Sequence, residues 1–226
     1  MKIGMLSASD VAPQERTGRA RPDDASSGSV SLYWLPLGAG GHSVRWNGRV
    51  FEAIAARHEH RAAADLYHSA LEVRLGPTRF VIEMGPAWGG VDPVRGVMRE
   101  GPVGARWLGR SVLFRYEVRR WREGFIPDVA EAVESPRVLS VDAEVARRLL
   151  DLVPTVPSLT WGRDEIGTGE MWNSNSLTSW LLARSGHEMT ALDPPQGGRA
   201  PGWHAGLVLA GRQNPQAQRV VEVRAS

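Results

Sequence analysis

The chain has 226 residues, 42% of them hydrophobic, and a formal net charge of +2. That length suits one domain of generous size, or one domain with extensions, and the apolar content is enough for a core. Cysteine is absent, which excludes disulfides, thiolate metal sites and a cysteine nucleophile. No run approaches the ~18–20 apolar residues of a membrane span. Met1 to Asp10 carries one lysine and only a short, weakly apolar run, so a secretory signal is not expected and a cytoplasmic location is the default. Lys2 is the sole lysine, and the arginines are scattered among acids. Arg119, Arg120 and Arg122, and Arg147 with Arg148, read as solvated faces. With no basic stripe, a nucleic-acid partner is not expected.

Residues 1–29 have no periodicity and little to bury, and read as disordered or loosely attached. Order is expected from about Val30, with Ser31–Leu37 a short apolar strand. His42–Trp46, the turn Asn47–Gly48 and Arg49–Ala55 read as a hairpin. Tyr67 to Leu75 alternates cleanly, Ser69, Leu71, Val73 and Leu75 sharing one face and His68, Ala70, Glu72 and Arg74 the other. Gly76–Pro77–Thr78 turns the chain into a partner strand, Arg79–Met84. Residues 85–110, rich in Gly, Pro and Trp, read as a long irregular loop. Ser111–Arg119 predicts a strand, and Asp128–Glu134 a short helix. Asp142–Val153 predicts a helix that begins near Ser140, buries Val145, Leu149 and Leu152, and stops before Pro154. A loop follows, with Gly167–Thr168–Gly169 leading into Asn173–Ser174–Asn175–Ser176. A helix starts there, with Leu177, Trp180 and Leu181 at i, i+3 and i+4, and closes at Gly186. Trp203–Ala210 predicts a last strand, and 212–226 a polar tail with one β-prone patch, Val220–Val223. The order of strands, then helices, then a strand implies an α+β domain over 30–211: an antiparallel sheet with helices packed on one face.

The chain holds no HExxH motif, P-loop or GxSxG elbow. His58–Glu59–His60 has no third ligand in reach of the pattern and reads as a solvated loop, so no metal site and no cofactor are expected. Two features remain. The first turn of the helix at Ser174 is crowded with hydroxyls and amides, which cap helices and also sit among unsatisfied N–H groups able to hold an oxyanion. His68 opens an alternating strand, where a histidine can project into a groove, with Glu83, Glu72, Arg115 and Glu117 as polar strand positions able to orient it. A hydroxyl at a helix start facing a histidine on a neighbouring strand is a nucleophile–base arrangement.

Tyr67–His68–Ser69–Ala70–Leu71–Glu72–Val73, followed in order by Asn173–Ser174–Asn175–Ser176–Leu177–Thr178, resembles the circularly permuted papain-like superfamily. That group includes the PPPDE peptidases and, more distantly, lecithin retinol acyltransferase and NlpC/P60-like proteins. The likeness spans about residues 65–186, with Ser174 where the family has its cysteine. It implies a hydrolase or acyltransferase acting on an amide, thioester or ester bond. Ser174 would attack, His68 would be base and then acid, and Glu83 would orient it. Asn173 or Asn175 would stabilise the oxyanion, and Trp172 would contact substrate. A hydroxyl gains little from a helix N-terminus, unlike a thiol, and needs true base assistance. The alternative is a non-catalytic relative binding a peptide or small molecule through Trp172, Trp88 and the arginines. The expected partner is a small-molecule or peptide substrate, or a protein carrying an acyl or peptide group, with neither nucleic acid nor membrane involved.

Overall fold

Period-two alternation in the segment after Asp65 builds the centre of the sheet. The computed structural model describes residues 27–37, 65–87, 96–195 and 197–213. Within them β1 (Gly28–Pro36), β2 (Asp65–Leu75) and β3 (Thr78–Pro86) are followed by β4 (Val97–Pro102), β5 (Arg115–Arg122) and β6 (Val133–Ser140). The order across the sheet is β4-β5-β3-β2-β1-β6, all antiparallel, and a two-residue strand β7 (Gly198–Arg199) pairs parallel with β2 at Asp65 and Leu66. Three α-helices occur among the described residues: α1 (Ala143–Leu152), α2 (Ser174–Ser185) and α3 (Trp203–Gln213).

The fold is therefore α+β with an antiparallel sheet, as the pattern of elements implies. The β2 alternation decides which face is covered. Leu71 and Val73 join Leu32, Ile82, Tyr116 and Val118 under the helices, with Leu149, Leu177 and Trp180 above them. Ala70 points the other way and packs with Tyr33, Leu35, Val81 and Ile126 in a small second cluster.

Several elements depart from the sequence expectation. The stretch expected as loop contains β4 and a 3₁₀ turn, Arg106–Arg110. The strand expected from Ser111 begins only at Arg115, after a second 3₁₀ turn at Val112–Phe114. The short helix expected over Asp128–Glu134 is a single 3₁₀ turn, Val129–Glu131, that runs straight into β6. The polar, proline-bearing sequence of β6 hid it, and an edge strand tolerates both features. Where the β1–β6 ladder slips, the Ser135 hydroxyl accepts the Trp34 N–H at 2.8 Å.

The expected last strand is α3. A short apolar run does not by itself separate strand from helix. What selects the helix is its small face: Ala205, Gly206 and Ala210 are buried, and a Cβ on Gly206 would stand 2.1 Å from Ser176 O and 2.1 Å from Ser179 Oγ. The expected helix boundaries hold better. Asp142 caps α1, accepting from the Glu144 and Val145 N–H groups at 2.7 and 3.4 Å. The buried stripe is Ala146, Leu149 and Leu150, so Val145 and Leu152 stay half-buried.

The first described strand, β1, starts at Gly28, two residues before the expected Val30, and α3 runs to Gln213, into the expected tail; residues 1–26 lie outside the described residues. The Asn47–Gly48 hairpin, His58–Glu59–His60, Trp88 and the Val220–Val223 patch lie outside the described residues. Among those described, no helix is long and apolar enough to cross a membrane.

The helix contact yields a paired prediction. Gly206→Ala loses about 1–3 kcal/mol of stability by overpacking α2 against α3. Gly211→Ala, where a Cβ meets nothing within 4 Å, is neutral or gains a few tenths to ~1 kcal/mol of helix propensity. Urea denaturation of the two variants beside the parent measures both.

Candidate active site

The loop before α2 is organised from within. The Asp164 carboxylate accepts the N–H groups of Gly167, Thr168 and Gly169 at 2.7, 3.0 and 2.8 Å. Those bonds hold its pKa below the ordinary carboxylate value. Gly167 and Gly169 have φ of 73° and 81°, a conformation glycine adopts without strain. The N–H groups of this loop are therefore engaged with the chain's own carboxylate.

The first turn of α2 follows. Asn173 is the N-cap: its Oδ1 accepts from Asn175 N at 2.9 Å and Ser176 N at 3.2 Å, and Ser176 Oγ accepts from Asn173 N at 3.1 Å. This reciprocal capping box satisfies most of the helix's orphan donors. Asn173 Nδ2 donates to Pro201 O at 2.8 Å. Gly202 makes room for that amide, since a Cβ there would lie 2.4 Å from Asn173 Oδ1.

Asn175 joins the helix to the sheet. Its Oδ1 accepts the Ser69 hydroxyl at 2.9 Å, and its Nδ2 donates to Tyr67 O at 2.9 Å and Pro201 O at 3.0 Å. The geometry of β2 explains why an amide is needed. The β2–β3 ladder pairs Leu71–Leu75 with Ile82–Thr78 and continues no further toward Asp65. Beyond it the Tyr67 carbonyl takes its bond from Asn175 instead. Tyr67 and Ser69 are the two chain neighbours of His68, so α2's first turn is tied to the segment that carries the histidine.

The predicted residues separate at the level of side chains. Ser174 is 7% exposed, and its hydroxyl and N–H have no partner among the described residues. His68 belongs to the alternate set of β2 positions, with Ala70, opposite to Ser69, and pairs across the ladder with Leu35. No hydrogen bond joins it to Ser174. Enclosure pushes its imidazole pKa down to about 4, with the Asp128 carboxylate pulling weakly upward. The ring is therefore neutral at pH 7, the state a base requires.

The remaining predicted residues take structural roles. Glu83 accepts Arg119 Nη1 at 2.8 Å, and the Arg119 Nε binds Glu117, so Glu83 is held by a guanidinium rather than by His68. Burial raises the Glu83 pKa, against the lowering effect of Arg119. Trp172 is fully buried, its backbone bonded to Arg163 and Gly162, so its indole is core and offers no face to a ligand. The amides of Asn173 and Asn175 are consumed by internal bonds, which removes them as oxyanion donors and leaves the Ser174 N–H in that position. The alternation places Ser69 on the face of Leu71 and Val73 but does not reveal its bond to Asn175, and only the long-range contacts give Pro201 and Gly202 a role.

Among the described residues no group of three His, Cys, Asp or Glu side chains is placed to hold a metal ion. Comparison of the chain with protein-family models, with curated proteins and with solved structures finds no match.

The enclosed imidazole makes a signed prediction. A folded pKa of about 4 below an ordinary 6.5 means the unfolded chain binds the proton first. His68 therefore leaves stability intact above pH ~6.5 and removes up to about 3 kcal/mol as pH falls toward ~4. In urea titrations across that range, His68→Asn flattens the decline. An unchanged decline assigns it to other groups.

Proposed function

We propose that the domain is a hydrolase or acyltransferase acting on an amide, thioester or ester bond, on a permuted papain-like plan, in the cytoplasm. The observation that carries this reading is the Asn175 tether. Two motifs more than a hundred residues apart, singled out by their chemistry, are held together by hydrogen bonds to Ser69 and Tyr67 on either side of His68. The state of Ser174 adds to it. In a first turn where neighbouring donors are capped, its hydroxyl and N–H alone are left for a ligand.

In the proposed cycle the Ser174 Oγ attacks the acyl carbonyl, and its proton passes to the neutral His68 imidazole once that ring is turned from the Ala70 face of β2 toward α2. The Ser174 N–H stabilises the oxyanion. The tetrahedral adduct collapses to an ester on Ser174, and the imidazolium returns its proton to the departing amine, thiol or alcohol. Water, or an acceptor nucleophile in a transferase, repeats the sequence in reverse and frees the serine. Glu83 has no part in it. The substrate is a small molecule, a peptide or a protein carrying the acyl group.

A second reading has its own support. The imidazole stands on the strand positions opposite to Ser69 and makes no bond to Ser174, as suits a relative that binds ligand without turnover. The catalytic reading therefore requires that the His68 end of β2 turn its imidazole toward α2 when substrate binds, a movement that the binding reading does not need.

A fluorophosphonate probe decides. The catalytic reading expects labelling of the parent, none of Ser174→Ala, and a rate lowered by about 10²-fold or more in His68→Ala. Absence of labelling in the folded parent, or equal labelling of Ser174→Ala, sinks it in favour of binding alone.

A further inference from the structure

The connection from β4 to β5 carries an arrangement unrelated to Ser174. Large apolar side chains there stand in solvent: Trp107 is 71% exposed, Leu113 70%, Val112 57% and Phe114 42%. Arg106, Arg110 and Arg115 line a cavity of about 490 Å³ in the same connection, with Glu100 as its single carboxylate. We propose that this face is a peripheral docking surface for a membrane containing anionic lipid, the arginines receiving headgroup phosphates and the apolar side chains entering the acyl boundary.

The arginines are poised for oxyanions. Arg115 is fixed through Nε to Gly109 O at 2.6 Å and through Nη1 to Glu100 at 3.3 Å. Arg106 is held only through Nε, by Glu165 at 2.8 Å, which leaves its two Nη groups uncommitted. Arg110 has no hydrogen-bond or ion-pair partner among the described residues. Three guanidinium groups against two carboxylates, Glu100 and Glu165, leave a net positive charge that favours an anion, and their fork geometry matches phosphate oxygens.

The apolar side chains are presented by a fixed scaffold. In a 3₁₀ turn residues i and i+3 eclipse, which puts Trp107 and Arg110 on one side of Arg106–Arg110. The turn lies against β4, where a Cβ on Gly109 would meet Pro102 Cβ at 2.8 Å. The segment is pinned at both ends, by Gly104 N to Trp161 O and by Val103 N to Phe114 O. Exposed tryptophan and leucine beside arginine suit a lipid boundary, where tryptophan sits at the headgroup level. No spanning segment is required for such a contact. The inference holds whether or not Ser174 reacts.

Cosedimentation of the full chain with vesicles tests it. The chain sediments with phosphatidylcholine–phosphatidylserine vesicles, does so far less with phosphatidylcholine alone, and is released by salt. Arg110→Glu, and separately Trp107→Ser with Leu113→Ser, each lower the vesicle partition constant about tenfold or more. All three positions are exposed, and circular dichroism checks the fold. Failure to sediment with either vesicle, or unchanged binding by both variants, overturns the proposal. So does a dimer in sedimentation velocity that Trp107→Ser with Leu113→Ser disperses, since the surface then belongs to a second copy. Binding that survives that double change and is competed by inorganic phosphate assigns the arginines to a soluble phosphate ligand, and also overturns it.

Discussion

The side chain of Asn175 is 2% exposed, and both of its polar atoms are bonded. An unpaired buried amide or carbonyl costs about 1–3 kcal/mol, so this network holds only if it is complete. Its completeness fixes three things at once. It sets the depth of α2 on the sheet through Ser69, covers the edge of β2 that β3 leaves through Tyr67, and draws in the Pro201–Gly202 turn that launches α3.

The burial of α2 follows from that placement. Ten of its twelve residues are buried, polar ones included. A helix enclosed on all sides sits in the core rather than on it. Its hydroxyls are satisfied locally: Ser179 donates to Trp203 O at 2.7 Å and Ser185 to Leu181 O at 2.8 Å. The small residues of α3 then allow the second helix to lie within van der Waals contact, and Trp203 packs on Trp34 of β1 at 5.0 Å between ring centroids. In this way a polar first turn, which is unusual material for a core, becomes the joint between helices and sheet. Ser174, next to that joint, keeps a hydroxyl with no partner among the described residues.

The two candidate surfaces differ in kind. The α2 terminus is enclosed and built from satisfied polar groups around one that is not. The β4–β5 connection is open, with exposed apolar side chains beside guanidinium groups that keep unbonded donors among the described residues. The proposed lipid contact departs from the expectation of no membrane partner, since a peripheral contact needs no segment long and apolar enough to span a bilayer.

The chain by itself determined the local order that depends on neighbours in sequence. The β2–β3 hairpin, a helix near Asp142–Val153, the capped helix start at Asn173–Ser176, the Gly186 stop and the α+β class were legible because alternation, capping and turn chemistry act within a few residues. It also marked Ser174 and His68 as residues whose types matter. Tertiary structure decided whatever rested on distant contacts. Trp203–Ala210 became a helix because Ala205 and Gly206 fit against α2. Val133–Ser140 became an edge strand because β1 offered it a partner. Glu83 went to Arg119 because β5 brought a guanidinium beside it. Asn173 and Asn175 turned from oxyanion donors into structural amides because Pro201, Tyr67 and Ser69 reach them only in the folded chain. A residue's capacity for chemistry is written in its type, but which of its atoms remain free is set by everything packed around it.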